Sequence, residues 1–306
     1  MKNKNALFIV GPTGVGKTET AVRIAAALGT EIISADSRQV YKELSIGTAV
    51  PGPEHLGRVR HHLIQHRSVK DYYNASMFEV EALQILKKLF KQCDIVVITG
   101  GSGLYIQAVC DGIDDVPSVD PGIRRNLMRR LEEEGLESLR FELKKIDPHT
   151  WSSIDLKNPK RILKALEISL TTGKPYSSFL TRKSKKRNFS ILKIGLNLDR
   201  DVLYGWINQR VEDMMELGLL DEVRACMAYR DLNALNTVGY KELFDYLDGR
   251  ISLDEAVHLI KRNSRRYARR QMTWFNRDDE ISWFRPDQFN EIMDHIRQHA
   301  KKRDQV

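Results

Sequence analysis

Ala6-Leu7-Phe8-Ile9-Val10-Gly11-Pro12-Thr13-Gly14-Val15-Gly16-Lys17-Thr18 is the stretch that decides the fold. Five apolar residues make a strand-sized run, and a helical pattern follows from 19 to 28. Between them lies the spacing G-x-x-x-x-G-K-[ST]. Its glycines let the backbone turn with its N–H groups aimed inward at an anion, so that Gly11, Pro12, Thr13, Gly14, Val15 and Gly16 form a cradle. Lys17 can reach terminal phosphates, and the Thr18 hydroxyl can hold Mg²⁺. The helix that follows adds the positive end of its dipole. Such a loop predicts a phosphate or diphosphate site without choosing a reaction, because kinases, nucleotide hydrolases and other diphosphate chemistries share it.

Outward from this loop, strand-like runs recur at 31–35, 95–99 and 191–196, alternating with helical patterns at 19–28 and 75–92. That alternation predicts an α/β fold, a P-loop NTPase-like parallel sheet flanked by helices. The segment 117–189 has no strand character. Helical patterns at 122–134, 136–146 and 158–170 and its Pro and Gly borders predict an all-helical domain inserted into a core of 1–116 and 190–306. After 199 the chain reads as helical through 276, with a short strand at 281–284, and the basic tract 182–187 reads as a mobile loop.

With 306 residues, 42% hydrophobic and 29% charged, the composition is that of a globular protein. The apolar runs are too short to span a membrane, and residues 1–5 lack the apolar region of a signal peptide. The expectation is a cytoplasmic protein with no membrane partner. Cys93, Cys110 and Cys226, odd in number and widely spaced, suit neither a disulfide framework nor a zinc site. The net charge is +8, and 117–190 carries 17 Lys and Arg against 9 Asp and Glu, an excess as large as that of the whole chain. A second run, 261–270, holds six basic residues and no acid. On a helix Arg262, Arg265, Arg266 and Arg269 would form one basic face, and the neighbouring Tyr267, Trp274 and Phe275 are stacking partners of the kind that accompany RNA binding.

Two strand ends carry candidate chemistry. The second strand runs into Ser34-Ala35-Asp36-Ser37-Arg38-Gln39, placing Asp36 at the carboxyl edge where ligands of open α/β sheets bind, as a general base or metal partner. The 95–99 strand runs into Gly100-Gly101-Ser102-Gly103, where glycines permit close backbone approach and Ser102 offers a hydroxyl.

GPTGVGKT, SADSRQVYKELSIGTA, RHHLI, GGSGLY, NPKRILKALEI, VGYKEL and RRYARRQMTWF occur here in one order along nearly the whole chain. In that order they resemble the tRNA dimethylallyltransferases. The resemblance implies transfer of a dimethylallyl group from dimethylallyl diphosphate to N6 of the adenosine 3′ to a tRNA anticodon (position 37), without ATP consumption. By it the catalytic set is Asp36, Ser102, Lys17, Thr18 and Arg210, with Arg210 joining the phosphate loop in holding diphosphate and Thr18 ligating Mg²⁺. Ser102 stands where relatives usually carry threonine. The resemblance also implies tRNA contacts by Asp36, Ser37, Arg38, Gln39, Ser102, Arg124, Lys160, Arg161, Lys164, Asn236, Gly239, Tyr240 and Lys241, and a monomer that engages the anticodon stem-loop. The adenine would have to leave its stack to react.

Two departures stand out: Gln65 where relatives often carry aspartate in His-His-Leu-Ile-Asp, and Val50 where they carry lysine in Gly-Thr-Ala-Lys-Pro. They lower the standing of His61, His62 and Gln65 as site residues, and a histidine metal cluster with His55 and His66 is a weaker reading than core or capping histidines. Three readings compete with the main one: an isopentenyltransferase acting on free adenine nucleotides, a small-molecule P-loop kinase, and an RNA-binding module without catalysis. The first has little use for two basic segments, and the last leaves Lys17 and Asp36 unexplained.

Overall fold

A computed structural model of the chain describes residues 4–117, 120–181 and 184–303. Its first strand, β1 (Asn5–Val10), is buried along its whole length, as a central strand of a parallel sheet must be. The chain continues through α1 (Lys17–Leu28), β2 (Ile32–Ser34), α2 (Pro53–Arg58), β3 (His61–His62), α3 (Ala75–Leu89), β4 (Ile95–Thr99) and α4 (Gly103–Asp111). Four helices follow: α5 (Pro121–Glu133), α6 (Gly135–Ile146), α7 (Pro148–Ser153) and α8 (Pro159–Thr172). The chain then returns through β5 (Ser190–Leu196), α9 (Arg200–Glu216), α10 (Leu219–Ala225), α11 (Tyr240–Leu247), α12 (Leu253–Phe275), β6 (Ile281–Phe284) and α13 (Phe289–Arg303).

All six strands form one parallel sheet in the order β3-β2-β4-β1-β5-β6. Its core includes Leu7 and Ile9 of β1, Ile32 of β2, Val97 of β4 and Ile194 of β5, packed against Ala21, Ile24 and Ala25 of α1. Strand β3, two residues long, escapes any periodicity test, and its pairing with β2 comes from tertiary context. Helix α4 is also absent from the sequence reading, because its glycine-rich start reads as a loop.

The chain divides into two compact units, 1–111 with 186–306, and 112–185. The second is all-helical around Leu127, Leu139, Leu143, Ile162 and Leu166. Side-chain caps start three of these helices, α5, α7 and α8: Asp120 accepts from the Gly122 N–H at 2.7 Å, Asp147 from Thr150 at 2.9 Å and Asn158 from Lys160 at 3.1 Å, each with a proline in the first turn. Part of the basic tract at 182–187, Arg182 and Lys183, lies outside the described residues. Arg187 sits where the chain re-enters the first unit. Its guanidinium donates to the carbonyls of Ala108 and Val109 and to Glu79 Oε1 at 2.7–2.8 Å, and both charged side chains of the ion pair are less than 10% exposed.

Candidate active site

The carboxyl ends of β1, β2 and β4 open into a cleft of about 880 Å³ in the first unit. The phosphate loop forms its floor. Gly11, Gly14 and Gly16 have φ of 143°, 82° and 90°, and a Cβ on Gly11 would lie 2.5 Å from the Leu196 carbonyl. Only glycine fits such a turn without strain. Pro12 and Val15 are buried beneath the loop, whereas Thr13, Lys17 and Thr18 line the cleft. Lys17 Nζ donates to the Pro12 carbonyl at 2.7 Å, and Arg210 Nη1 to Thr13 Oγ1 at 3.1 Å. Hemmed in by protein and beside the Arg210 guanidinium, Lys17 has its pKa pushed down to about 7, an effect that Asp36 partly opposes. Burial lowers Arg210 too, again opposed by Asp36. Two basic groups are thus held close together with one carboxylate near them, an arrangement that an anion would favour.

Asp36 leaves β2 in an Asx turn, its Oδ1 accepting from the N–H groups of Arg38 at 2.9 Å and Gln39 at 3.4 Å. Among the described residues no hydrogen bond is made to Oδ2, which leaves one carboxylate oxygen for a ligand. Ser37 and Arg38 line the cleft beside it, and Arg38 is tethered to the Asn233 and Ala234 carbonyls at 2.9 and 3.2 Å. Gln39 also lines the cleft, but its amide is engaged: Nε2 donates to the Thr48 and Ala49 carbonyls, and Oε1 accepts from Ser34.

Ser102 stands apart from this lining. Its hydroxyl accepts from the Ser37 N–H at 2.9 Å and donates to Ser37 Oγ, so it holds the Asp36 turn. Asn236, Gly239 and Lys241 line the cleft, but Tyr240 does not. Its ring is fully buried against Gly47, where a Cβ would come within 2.6 Å, and its hydroxyl donates to Glu222 at 2.6 Å. The Tyr240 side chain is therefore a packing element, correcting the expectation that it meets tRNA. Glu222, which the sequence reading missed, also accepts the N–H groups of Ser45, Ile46 and Gly47 at 2.7–2.9 Å and so pins the loop bearing Thr48 and Ala49.

Helix α12 supplies one cleft wall, with a different stripe from the one expected. Asn263, Arg266, Tyr267, Arg270 and Gln271 face the cleft. Arg265 turns away, donating to Asn208 and lying over Tyr204, and Lys261 pairs with Glu212. The single face Arg262–Arg265–Arg266–Arg269 is accordingly split, with Arg266 and Arg270 on the cleft side. The helix turns 100° per residue, so the contacts of Arg265 with α9 set the register. Gln271, also missed, is buried at the helix end and touches the phosphate loop; its four-residue spacing from Tyr267 was the available signal.

In the second unit Arg124 Nη1 lies 3.3 Å from Glu167, whose buried carboxyl is raised by desolvation and lowered again by Arg124 and Lys164. Lys160 and Arg161 are exposed in the first turn of α8. The histidines make no metal cluster among the described residues. His62 and His66 bond Glu31 and Glu81, and His61 bonds the Val59 carbonyl while lining the cleft. The three cysteines are free.

Residues 39–278 match the family model described as IPP transferase. The chain belongs to that family. It is 55% identical over 291 residues to tRNA dimethylallyltransferase 1 of Bacteroides thetaiotaomicron, covering 95% of this chain and 94% of the relative, and 52% identical to tRNA dimethylallyltransferase 1 of Bacteroides fragilis, covering 98% and 100%. Among solved structures, the tRNA isopentenylpyrophosphate transferase of Bacillus halodurans superposes with a TM-score of 0.73 at 36% identity, covering 99% of each chain. A eukaryotic dimethylallyltransferase acting on tRNA superposes at 0.77 with 25% identity, covering 92% of this chain and 73% of that one. The IPP transferase family and the P-loop fold expected from the sequence are thereby both shown.

Proposed function

We propose that this chain transfers a dimethylallyl group from dimethylallyl diphosphate to N6 of the adenosine 3′ to the anticodon of tRNA, releasing diphosphate. One observation carries the assignment of roles: Asp36, whose Oδ2 accepts no hydrogen bond among the described residues, lines the same cleft as Lys17 and Arg210. The N6–carbon bond forms as the carbon–oxygen bond to diphosphate breaks. Asp36 takes the proton that N6 loses, and Lys17 and Arg210 stabilise the charge that gathers on the leaving group. Binding a diphosphate favours the charged form of Lys17, because an anion at the loop opposes both the burial that chiefly lowers its pKa and the repulsion by Arg210.

Mg²⁺ would be held by the Thr18 hydroxyl together with diphosphate oxygens. A single protein hydroxyl in an anion cradle, with no acidic cluster among the described residues, suits a hard ion that arrives with its phosphates. Bound there, it would neutralise diphosphate and ease its departure. Gly11–Thr18 with Arg210 form the donor site, whereas Asp36, Ser37, Arg38, Asn236, Gly239, Lys241, Arg266 and Arg270 line the RNA side. On the inserted unit, Lys160 and Arg161 occupy a helix N-terminus, where the dipole disfavours cations. Recruitment of tRNA phosphates explains that placement, with Arg124 and Lys164 beside them. Ser102 acts through Ser37. Among the described residues no helix is apolar and long enough to cross a membrane; the reading proposed is a cytoplasmic enzyme that acts as a monomer.

The test is incubation of the protein with Mg²⁺ and labelled dimethylallyl diphosphate plus unmodified tRNA or AMP. Label on the adenosine beside the anticodon is expected; label on AMP alone would select the free-nucleotide enzyme. Asp36→Asn should lower kcat by about 10²–10⁴ and leave tRNA affinity within a few fold, since it removes the base and keeps the Asx turn. Equal losses in both would refute the base assignment.

A further inference from the structure

Gln271 joins the two halves of the proposed reaction. Its side chain is 6% exposed, and the orientation of its amide is forced by its partners. Oε1 accepts the Thr13 N–H of the phosphate loop at 2.8 Å, and Nε2 donates to the Gly101 carbonyl at 2.9 Å. Gly101 is a glycine for this reason: a Cβ there would lie 2.2 Å from Nε2. One turn back on α12, Tyr267 lines the cleft with Arg266 and Arg270. A buried amide therefore ties the backbone of the donor loop to the helix that faces the RNA.

Thr13 is held from two directions, by Gln271 at its N–H and by Arg210 at its hydroxyl. The Thr13 N–H is thus spent on the protein, and the loop keeps its cradle shape only while α12 stays in register. We infer that Gln271 is a positioning residue that couples the donor site to the RNA site: RNA that fixes the α12 face stiffens the phosphate loop, and a diphosphate in the loop stiffens the α12 face. Because coupling between binding sites is reciprocal, each ligand tightens the other by the same factor.

The inference rests on the proposed tRNA and diphosphate sites, and the experiment separates the two. The affinity of inorganic pyrophosphate with Mg²⁺ is measured on the full chain, with and without a saturating anticodon stem-loop RNA. RNA is expected to tighten pyrophosphate at least fivefold. In Gln271→Met, near in volume but without the two bonds, that factor should fall to about one while RNA affinity alone stays within twofold. In Gln271→Glu, which keeps the acceptor for Thr13 and loses the donor to Gly101, it should be intermediate. In the unsubstituted chain, RNA alone should slow amide hydrogen exchange over residues 11–16, a readout that needs no variant to fold. An unchanged factor in a folded variant, no factor in the unsubstituted chain, or no slowing of exchange overturns the inference. If the unsubstituted chain binds neither pyrophosphate nor the stem-loop, the functional reading itself fails.

Discussion

At the scale of single residues, the site is assembled from groups that the fold would discard on stability alone. Lys17 carries a model-peptide pKa of 10.5 in the unfolded chain and about 7 in the fold. Between those values the unfolded chain binds more protons, so stability rises with pH across the window from about 7 to 10.5; below 7 the charged lysine is an unrelieved cost. Lys17→Met should therefore raise the melting temperature of the ligand-free protein at pH 7 by a few degrees, flatten its rise between pH 7 and 10, and abolish prenyl transfer. A calorimetric pH series checks both, and a lower melting temperature would show that the Pro12 bond outweighs desolvation. The sequence disclosed Lys17 and Asp36 because their neighbours along the chain define them. It could not disclose Glu222, whose four bonds go to residues 18 or about 176 positions away, and it misread Tyr240, whose burial depends on Gly47.

Elements explain the next group of differences. The fold was legible where periodicity was long: β1, α1, β4, β5 and the three longer inserted helices lie close to their expected bounds. The short strands β2 and β6 were legible too, but β3, α7, α4 and the final helix α13, which are very short or carry mixed signals, were not. On α12 the charge pattern was visible but its rotation was not, since the contacts of Arg265 and Lys261 with α9 fix the rotation. Arg266→Ala and Arg270→Ala should each weaken tRNA binding and lower the slope of log affinity against log salt by about one, whereas Arg265→Ala should leave the slope unchanged. A titration of salt for each variant decides; equal slopes for all three would return this face to plain solvation. The loop at 45–49 hangs on Glu222, and Glu222→Ala should cost about 2–4 kcal/mol, from several charge-assisted bonds and a stranded buried Tyr240 hydroxyl, seen as a reduced denaturation midpoint.

Over the whole molecule, the proposed chemistry falls in one unit and part of the proposed recognition in the other. Replacing 112–185 by a short Gly/Ser link should leave a folded core that still binds pyrophosphate, read as a ligand-dependent rise in melting temperature, while tRNA affinity falls at least tenfold. Loss of pyrophosphate binding would show that the core needs its insert. Arg187→Ala, by contrast, removes the buried ion pair with Glu79 and the bonds to the Ala108 and Val109 carbonyls, and should destabilise the core by about 3–5 kcal/mol, measurable by denaturant titration. That arginine closes the seam where the chain leaves the core and comes back, gripping the backbone on the outgoing side from the returning side. A seam clamped in this way should make the insert exchangeable: a chain that carries a relative's helices in place of 112–185 is expected to keep the pyrophosphate affinity of its core.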